Sequence, residues 1–132
     1  MGVLDQPGFW WGTGGAAVVY AVVAGIRLWS LLDTGNEISP MAARRAIADG
    51  RIKHVIDVRR QDEWDAGHFP GAIHIPVDKI MTSKKLTRVP KDAHILVYCR
   101  TGKRAKRAVD RLHNSGFENV QYIADNYRSL IA

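Results

Sequence analysis

The sequence predicts an α/β domain built on a mainly parallel central sheet flanked by helices, preceded by one transmembrane helix. Three observations predict this. Short aliphatic runs alternate with helical patterns from residue 38 to residue 132, the order that builds a parallel sheet. The chain has 132 residues, enough for one compact domain and little else. Residues 6–26 carry no charged side chain, and every acid except Asp5 lies at or after Asp33. The first part of the chain therefore faces a different solvent problem from the rest. The expected organisation is a tail at 1–8, a transmembrane helix at 9–32, a linker at 33–37 and the α/β domain at 38–132.

Phe9 to Ile26 gives 18 uncharged residues, the short end of what a helix needs to cross a bilayer. Leu28 to Leu32 extends the run, with Arg27 able to snorkel toward headgroups. Trp10 and Trp11 at one end and Trp29 at the other resemble interfacial anchors. Ala17, Ala21 and Gly25 form a small-residue stripe suited to packing a second membrane helix. Two other readings stay open. A secretory signal peptide lacks its positive n-region here, although "VVAG" resembles a weak cleavage site. A buried helix of the α/β domain is the third, since the run is apolar all round. For a membrane helix, Arg27, Arg44 and Arg45 lie on the C-terminal side and the N-terminal tail has no Lys or Arg. The chain is then single-pass with its C-terminal domain in the cytoplasm.

The domain's elements follow in order. "SPMAARRAIADG" opens with Ser39 as N-cap and Pro40 at the first helical position, and Gly50 stops it. "KHVIDV" is a buried strand, and "QDEWDAG" one helical turn. "FPGA" is a turn, "AIHIP" a strand ended by Pro76, "VDKIMTS" a short helix and "TRVPKDA" a loop. "HILVYC" is a second buried strand. Ala105, Ala108, Val109 and Leu112 then recur at helical spacing between Gly102 and Asn114, with Lys103, Arg104, Lys106, Arg107 and Arg111 on the other faces. "NSGF" ends that helix, "NVQYI" is a last strand and "NYRSLIA" a terminal helical turn.

The formal net charge is +6. Such a balance suits nucleic acid, an anionic membrane or an anionic substrate. No nucleic-acid motif accompanies it, so nucleic acid is not the expected partner. One cysteine makes neither an internal disulfide nor a cysteine metal cluster. His54, His74, His94 and His113 share no ligand spacing, and no metal site is expected.

That single cysteine opens "CRTGKRA", residues 99–105. In parallel α/β sheets, ligands bind beyond the carboxyl ends of the strands. Cys99 sits at such an end, with a helix starting directly after it. Amides at a helix N-terminus lack intrahelical partners and favour an anion. Gly102 lets the backbone curl, and Arg100, Lys103 and Arg104 add positive charge. This setting favours a thiolate over a thiol and attracts an anionic substrate. The alternative is a small buried hydrophobe ending a strand beside a solvated cationic helix face.

Residues from about Ile38 to Leu130 resemble the single-domain rhodaneses, a family of sulfurtransferases. "VIDVRRQDEWDAGHFPGAIHIP" at 55–76 is similar to the family's Asp-x-Arg strand, acidic-aromatic turn and Gly-His-x-Pro-Gly-Ala segment. "ILVYCRTGKRA" at 95–105 resembles the active-site strand and loop, and "AVDRLHNSGFENVQYI" at 108–123 the closing helix and strand. The resemblance implies a rhodanese-like fold and sulfur transfer through a Cys99 persulfide. The thiolate attacks the outer sulfur of a small anionic donor such as thiosulfate, sulfite leaves, and cyanide or a thiol then removes the sulfur. It implies no cofactor, and a thiol or a protein partner as acceptor. Four residues separate Cys99 from Arg104. The phosphatases and arsenate reductases of this fold have five, a wider cup, so the shorter loop favours sulfur over phosphate. A sulfur-carrier module without its own turnover is the other reading.

By the same resemblance, Cys99 is the nucleophile, and Arg100, Thr101, Gly102, Lys103 and Arg104 bind the donor. Asp57 and Arg59 are supporting residues that orient loops, with Arg59 expected to pair with Glu63. His68 stabilises its turn. One departure stands out: Ala124 and Asp125 replace the family's two glycines after the last strand, and Tyr127 stands in for a following aromatic. Asp125 would add negative charge at the rim.

Overall fold

The computed structural model describes residues 21, 22, 24 and 35–131. The chain divides into two compact units, 1–35 and 36–132. In the first, Ala21, Val22 and Ala24 are helical. The tail at 1–8 and most of the transmembrane helix read over 9–32 lie outside the described residues. Among the described residues, no helix is long and apolar enough to cross a membrane.

The second unit starts with α1 (Pro40–Ala48). Its ends obey the sequence punctuation. Ser39 Oγ accepts the Ala42 amide at 3.2 Å, Pro40 opens the helix, and Gly50 follows at φ +82°. Next come β1 (His54–Asp57), α2 (Gln61–Asp65) and β2 (Ile73–His74). After Pro76 the segment read as a short helix closes only a 3-10 turn, Val77–Lys79. A second 3-10 turn, Lys84–Leu86, lies between the segment read as a short helix and the one read as a loop. The remaining elements are β3 (His94–Tyr98), α3 (Lys103–Asn114), β4 (Asn119–Tyr122) and α4 (Arg128–Ile131).

The four strands form one sheet in the order β2-β1-β3-β4, and every pairing is parallel. Asn36 and Glu37, at the end of the segment read as linker, run beside the β4 edge. Glu37 bridges Tyr122, the Tyr122 amide donates to Asn36 at 2.7 Å, and Ile38 donates to Tyr122 at 2.9 Å.

Side chains alternate across the sheet as the pleat requires. Ile95, Val97 and Cys99 enter one core with Ala105, Ala108, Val109 and Leu112 of α3. Leu96 and Tyr98 enter the other, with Ala43 and Ala46 of α1 and Leu130 of α4. β3 is therefore buried on both faces, which is why its sequence is an apolar run rather than an alternation. The register places Asp57 opposite both His74 and Tyr98. Three strands thus end in one row, and the residues just beyond them share one edge of the sheet.

Candidate active site

Cys99 follows Tyr98 at that edge and is almost fully buried. Its Sγ accepts the Gly102 amide at 3.0 Å and the Ala105 amide at 3.4 Å. Gly102 is the N-cap of α3 and offers no side chain to its orphan donors. The sulfur takes that place, so the first turn of the helix is capped by the thiol itself. The main-chain amides of Arg100 and Thr101 have no partner among the described residues.

The loop closes this tightly because of one glycine. Gly102 holds φ +100° against the start of "ADNY" after β4, and a Cβ there would lie 2.9 Å from Ala124 Cα. Ala124 thus forms part of the wall of the loop. Asp125 is exposed and accepts the Asn126 amide at 2.8 Å, a local turn bond.

Arg104 lies in the first turn of α3, and Glu63 in α2 reaches it with both carboxylate oxygens, at 2.6 and 3.1 Å. These bonds hold the Glu63 carboxyl down to about 2, against the opposing effect of burial. Arg104 is in turn raised above its ordinary value, first by Glu63, with Cys99 adding a smaller attraction. The expected Arg59–Glu63 pair is not made. Its spacing of four residues suits two positions on one helix, but α2 begins at Gln61, leaving Arg59 on the strand end.

Arg59 instead joins a buried network. Its Nη2 donates to Asp57 Oδ2 at 2.8 Å and to the Gly67 carbonyl at 2.6 Å, and its amide donates to Asp57 Oδ1 at 2.9 Å. Tyr98 donates its hydroxyl to Asp57 Oδ2 at 2.7 Å and accepts the Phe69 amide at 3.0 Å. Burial, then this bond to Asp57, raises the Tyr98 phenol well above its usual range. The network ties the ends of β1 and β3 to the "GHFPGA" turn, a supporting arrangement for Asp57 and Arg59. His68 serves that same turn: its Nδ1 lies 3.0 Å from the Trp64 carbonyl, and its ring stacks on Trp64 at 3.4 Å. His74, buried, lies 4.7 Å from Trp64 on a similar plane.

The sequence reading missed Tyr98 as a member of this network. Its hydroxyl was the signal: a polar atom in an otherwise apolar strand needs a buried partner. Arg128 was missed as well. It helps line a cavity of about 350 Å³ with Arg59, Glu63, Gly67, Arg100 and Tyr127. Arg100, Thr101 and Lys103 are exposed at the rim.

A parallel α/β sheet with a thiol seated beyond a strand's carboxyl end, accepting amides at a helix N-terminus, places Cys99 where domains of this class bind their ligands. The Rhodanese-like domain family model matches residues 39–130, and the chain belongs to that family. The probable adenylyltransferase/sulfurtransferase MoeZ of Mycobacterium tuberculosis is 34% identical over 89 residues, covering 67% of this chain and 23% of MoeZ. The putative sulfur carrier protein YrkF of Bacillus subtilis is 26% identical over 92 residues, covering 70% of this chain and 49% of YrkF. The chain thus spans under a quarter of MoeZ and about half of YrkF. The human single-domain sulfurtransferase TSTD1 shares the fold, with a TM-score of 0.64 at 24% identity over 73% of this chain and 95% of its own. Family and relatives place the chain among rhodanese-like sulfurtransferase and sulfur-carrier domains.

Proposed function

We propose that this protein moves sulfane sulfur from thiosulfate or a similar donor to a thiol or cyanide acceptor through a persulfide on Cys99. The observation that carries the reading is the seat of Sγ, held by the Gly102 and Ala105 amides at the head of α3. In the first half-reaction the Cys99 thiolate attacks the outer sulfur of the donor. An Sγ–S bond forms, the donor's S–S bond breaks, and its electron pair leaves with sulfite. Amides fixed before the reaction stabilise charge on sulfur without reorganising. Arg100 and Lys103 draw the anionic donor to the loop, Thr101 and Gly102 shape its backbone, and Arg104 keeps the loop's far end in place through Glu63. In the second half-reaction the acceptor takes the outer sulfur and Cys99 leaves as thiolate. Two such steps give ping-pong kinetics. Thiosulfate and cyanide assays with the full chain are expected to give thiocyanate, with parallel double-reciprocal plots. Absence of thiocyanate above background would overturn independent turnover.

The likeness to YrkF favours a second reading, in which the domain carries sulfur between partners. Persulfide formation without turnover would support it. Hydrolysis of a phosphate ester, with no sulfur loading, would instead point to the phosphatase alternative.

The sequence pattern supports a membrane tether at residues 9–32 with the domain on the cytoplasmic side. Retention in membranes after an alkaline wash is expected, and release would overturn it. Digestion of the domain by protease added outside intact cells would overturn the orientation.

A further inference from the structure

The positive charge of the chain is concentrated in one stretch. Residues 77–111 hold eleven Lys and Arg against three Asp, whereas the rest of the chain holds eight against ten acids. Part of this excess forms a face. α3 turns Ala105, Ala108, Val109 and Leu112 into the core and leaves Lys103, Lys106 and Arg107 exposed. Those three side chains have no hydrogen-bond or ion-pair partner among the described residues, although Asp110 stands three positions from Arg107 and four from Lys106. The first 3-10 turn lies beside α3. Arg111 Nη1 donates to the Val77 carbonyl at 2.7 Å, and just past the helix Ser115 Oγ donates to Met81 Sδ at 3.4 Å. Lys79 and Met81 are exposed there. The acids of these two segments are Asp78 and Asp110, so positive charge prevails around one exposed apolar side chain.

The point where the chain enters the domain says what this face meets. His113 Nε2 of α3 lies 3.2 Å from Asn36 Oδ1, and Asn36 is where the second unit begins. On the tether reading above, residues 33–35 alone join the tether to Asn36. That length keeps Asn36 within about 14 Å of the bilayer, and α3 with it. We infer that the exposed face of α3, with Lys79 and Met81, docks on the anionic headgroups of the bilayer that holds the tether. The inference rests on the tether reading and adds a second membrane contact to it. The cytoplasmic leaflet is the anionic one, and each Lys or Arg close to it adds to the attraction. The tether raises the effective concentration of the face at that surface, so a modest attraction suffices. The composition of the face favours lipid over an acidic protein. Protein interfaces are depleted in Lys and enriched in aromatic residues. Here Lys79, Lys103 and Lys106 supply three of four unpaired cations, and neither segment holds Phe, Tyr or Trp. Cys99, at the head of α3, is then held close to the membrane surface.

The test reads the face and the tether separately. The full chain is reconstituted into vesicles of phosphatidylcholine, alone or mixed with phosphatidylserine, and flotation measures its retention. Lysines are then modified with a water-soluble amine reagent and quantified by peptide mass spectrometry. Lys53, exposed and outside both segments, is the reference. The Lys106-to-Lys53 modification ratio is expected to be about fivefold lower with phosphatidylserine than without it, and to recover at high salt. Arg107→Glu is expected to remove most of that difference, and Arg107→Lys to keep it. Each ratio is taken within one chain, so differences in yield or reconstitution cancel. Retention in both vesicles with a ratio that ignores phosphatidylserine, or a difference unchanged in Arg107→Glu, would overturn the inference and leave the tether standing. Protection of Lys106 by soluble polyglutamate and not by the vesicles would assign the face to an acidic protein and overturn it as well. Failure to float with phosphatidylcholine alone would overturn the tether reading, and this inference with it.

Discussion

Adding one methyl group at Gly102 should damage both the loop and the fold. Gly102 holds φ +100°, and alanine's Cβ would stand 2.9 Å from Ala124 Cα, 3.3 Å from Ala124 Cβ and 3.6 Å from the Ile123 carbonyl. A residue with a Cβ in left-handed backbone costs about 1–2 kcal/mol. The 2.9 Å contact is with main chain, so it is relieved only by moving backbone, at about 1–3 kcal/mol for overpacking. The sum is about 2–5 kcal/mol, which for a domain of this size lowers Tm by about 10 °C or more. Movement of the loop also draws the Gly102 and Ala105 amides away from Sγ, so sulfur loading should slow. Thermal melting and single-turnover loading from thiosulfate measure the two effects. Adding Ala124→Gly removes the 3.3 Å contact and leaves the 2.9 Å one, so it should recover part of the Tm and not all. Wild-type melting and loading in Gly102→Ala would refute the reasoning.

Other outcomes follow from the same geometry. Tyr98→Phe leaves the Phe69 amide without its acceptor and Asp57 with Arg59 alone, and should cost about 1–3 kcal/mol in denaturant unfolding. Leu112→Ala empties a buried position under α3 and should cost about 2–5 kcal/mol by the same measurement, with sulfur loading retained at low temperature. Glu63 is held at about 2 in the fold, below its ordinary value of 4.5, so its contribution is fully present above about pH 4.5 and fades as pH falls toward 2. Acid unfolding followed by circular dichroism should therefore be less steep across that window in Glu63→Gln than in the wild type.

Much of the architecture could be read from residues. Ser39, Pro40 and Gly50 mark α1 because capping and backbone constraint act locally. "HILVY" reads as a buried strand because both of its faces meet helices. The place of Cys99 followed from the strand-to-helix junction alone. Pairing choices were less legible. Arg59 and Glu63 are four apart in sequence, but a strand end and a helix separate them, and each finds a partner elsewhere. Tyr98 joined the site through a hydroxyl that reaches a residue 41 positions away, a contact set by strand register. Arg128 reaches the cavity only because α4 returns to the carboxyl edge of the sheet, which the short "NYRSLIA" does not reveal.

Intact mass after thiosulfate treatment tests the central claim most directly, on the wild type and on Cys99→Ala. The persulfide account predicts a gain of one sulfur atom in the wild type, lost on adding cyanide, and no gain in Cys99→Ala. No gain in the wild type, or an equal gain in Cys99→Ala, would contradict it.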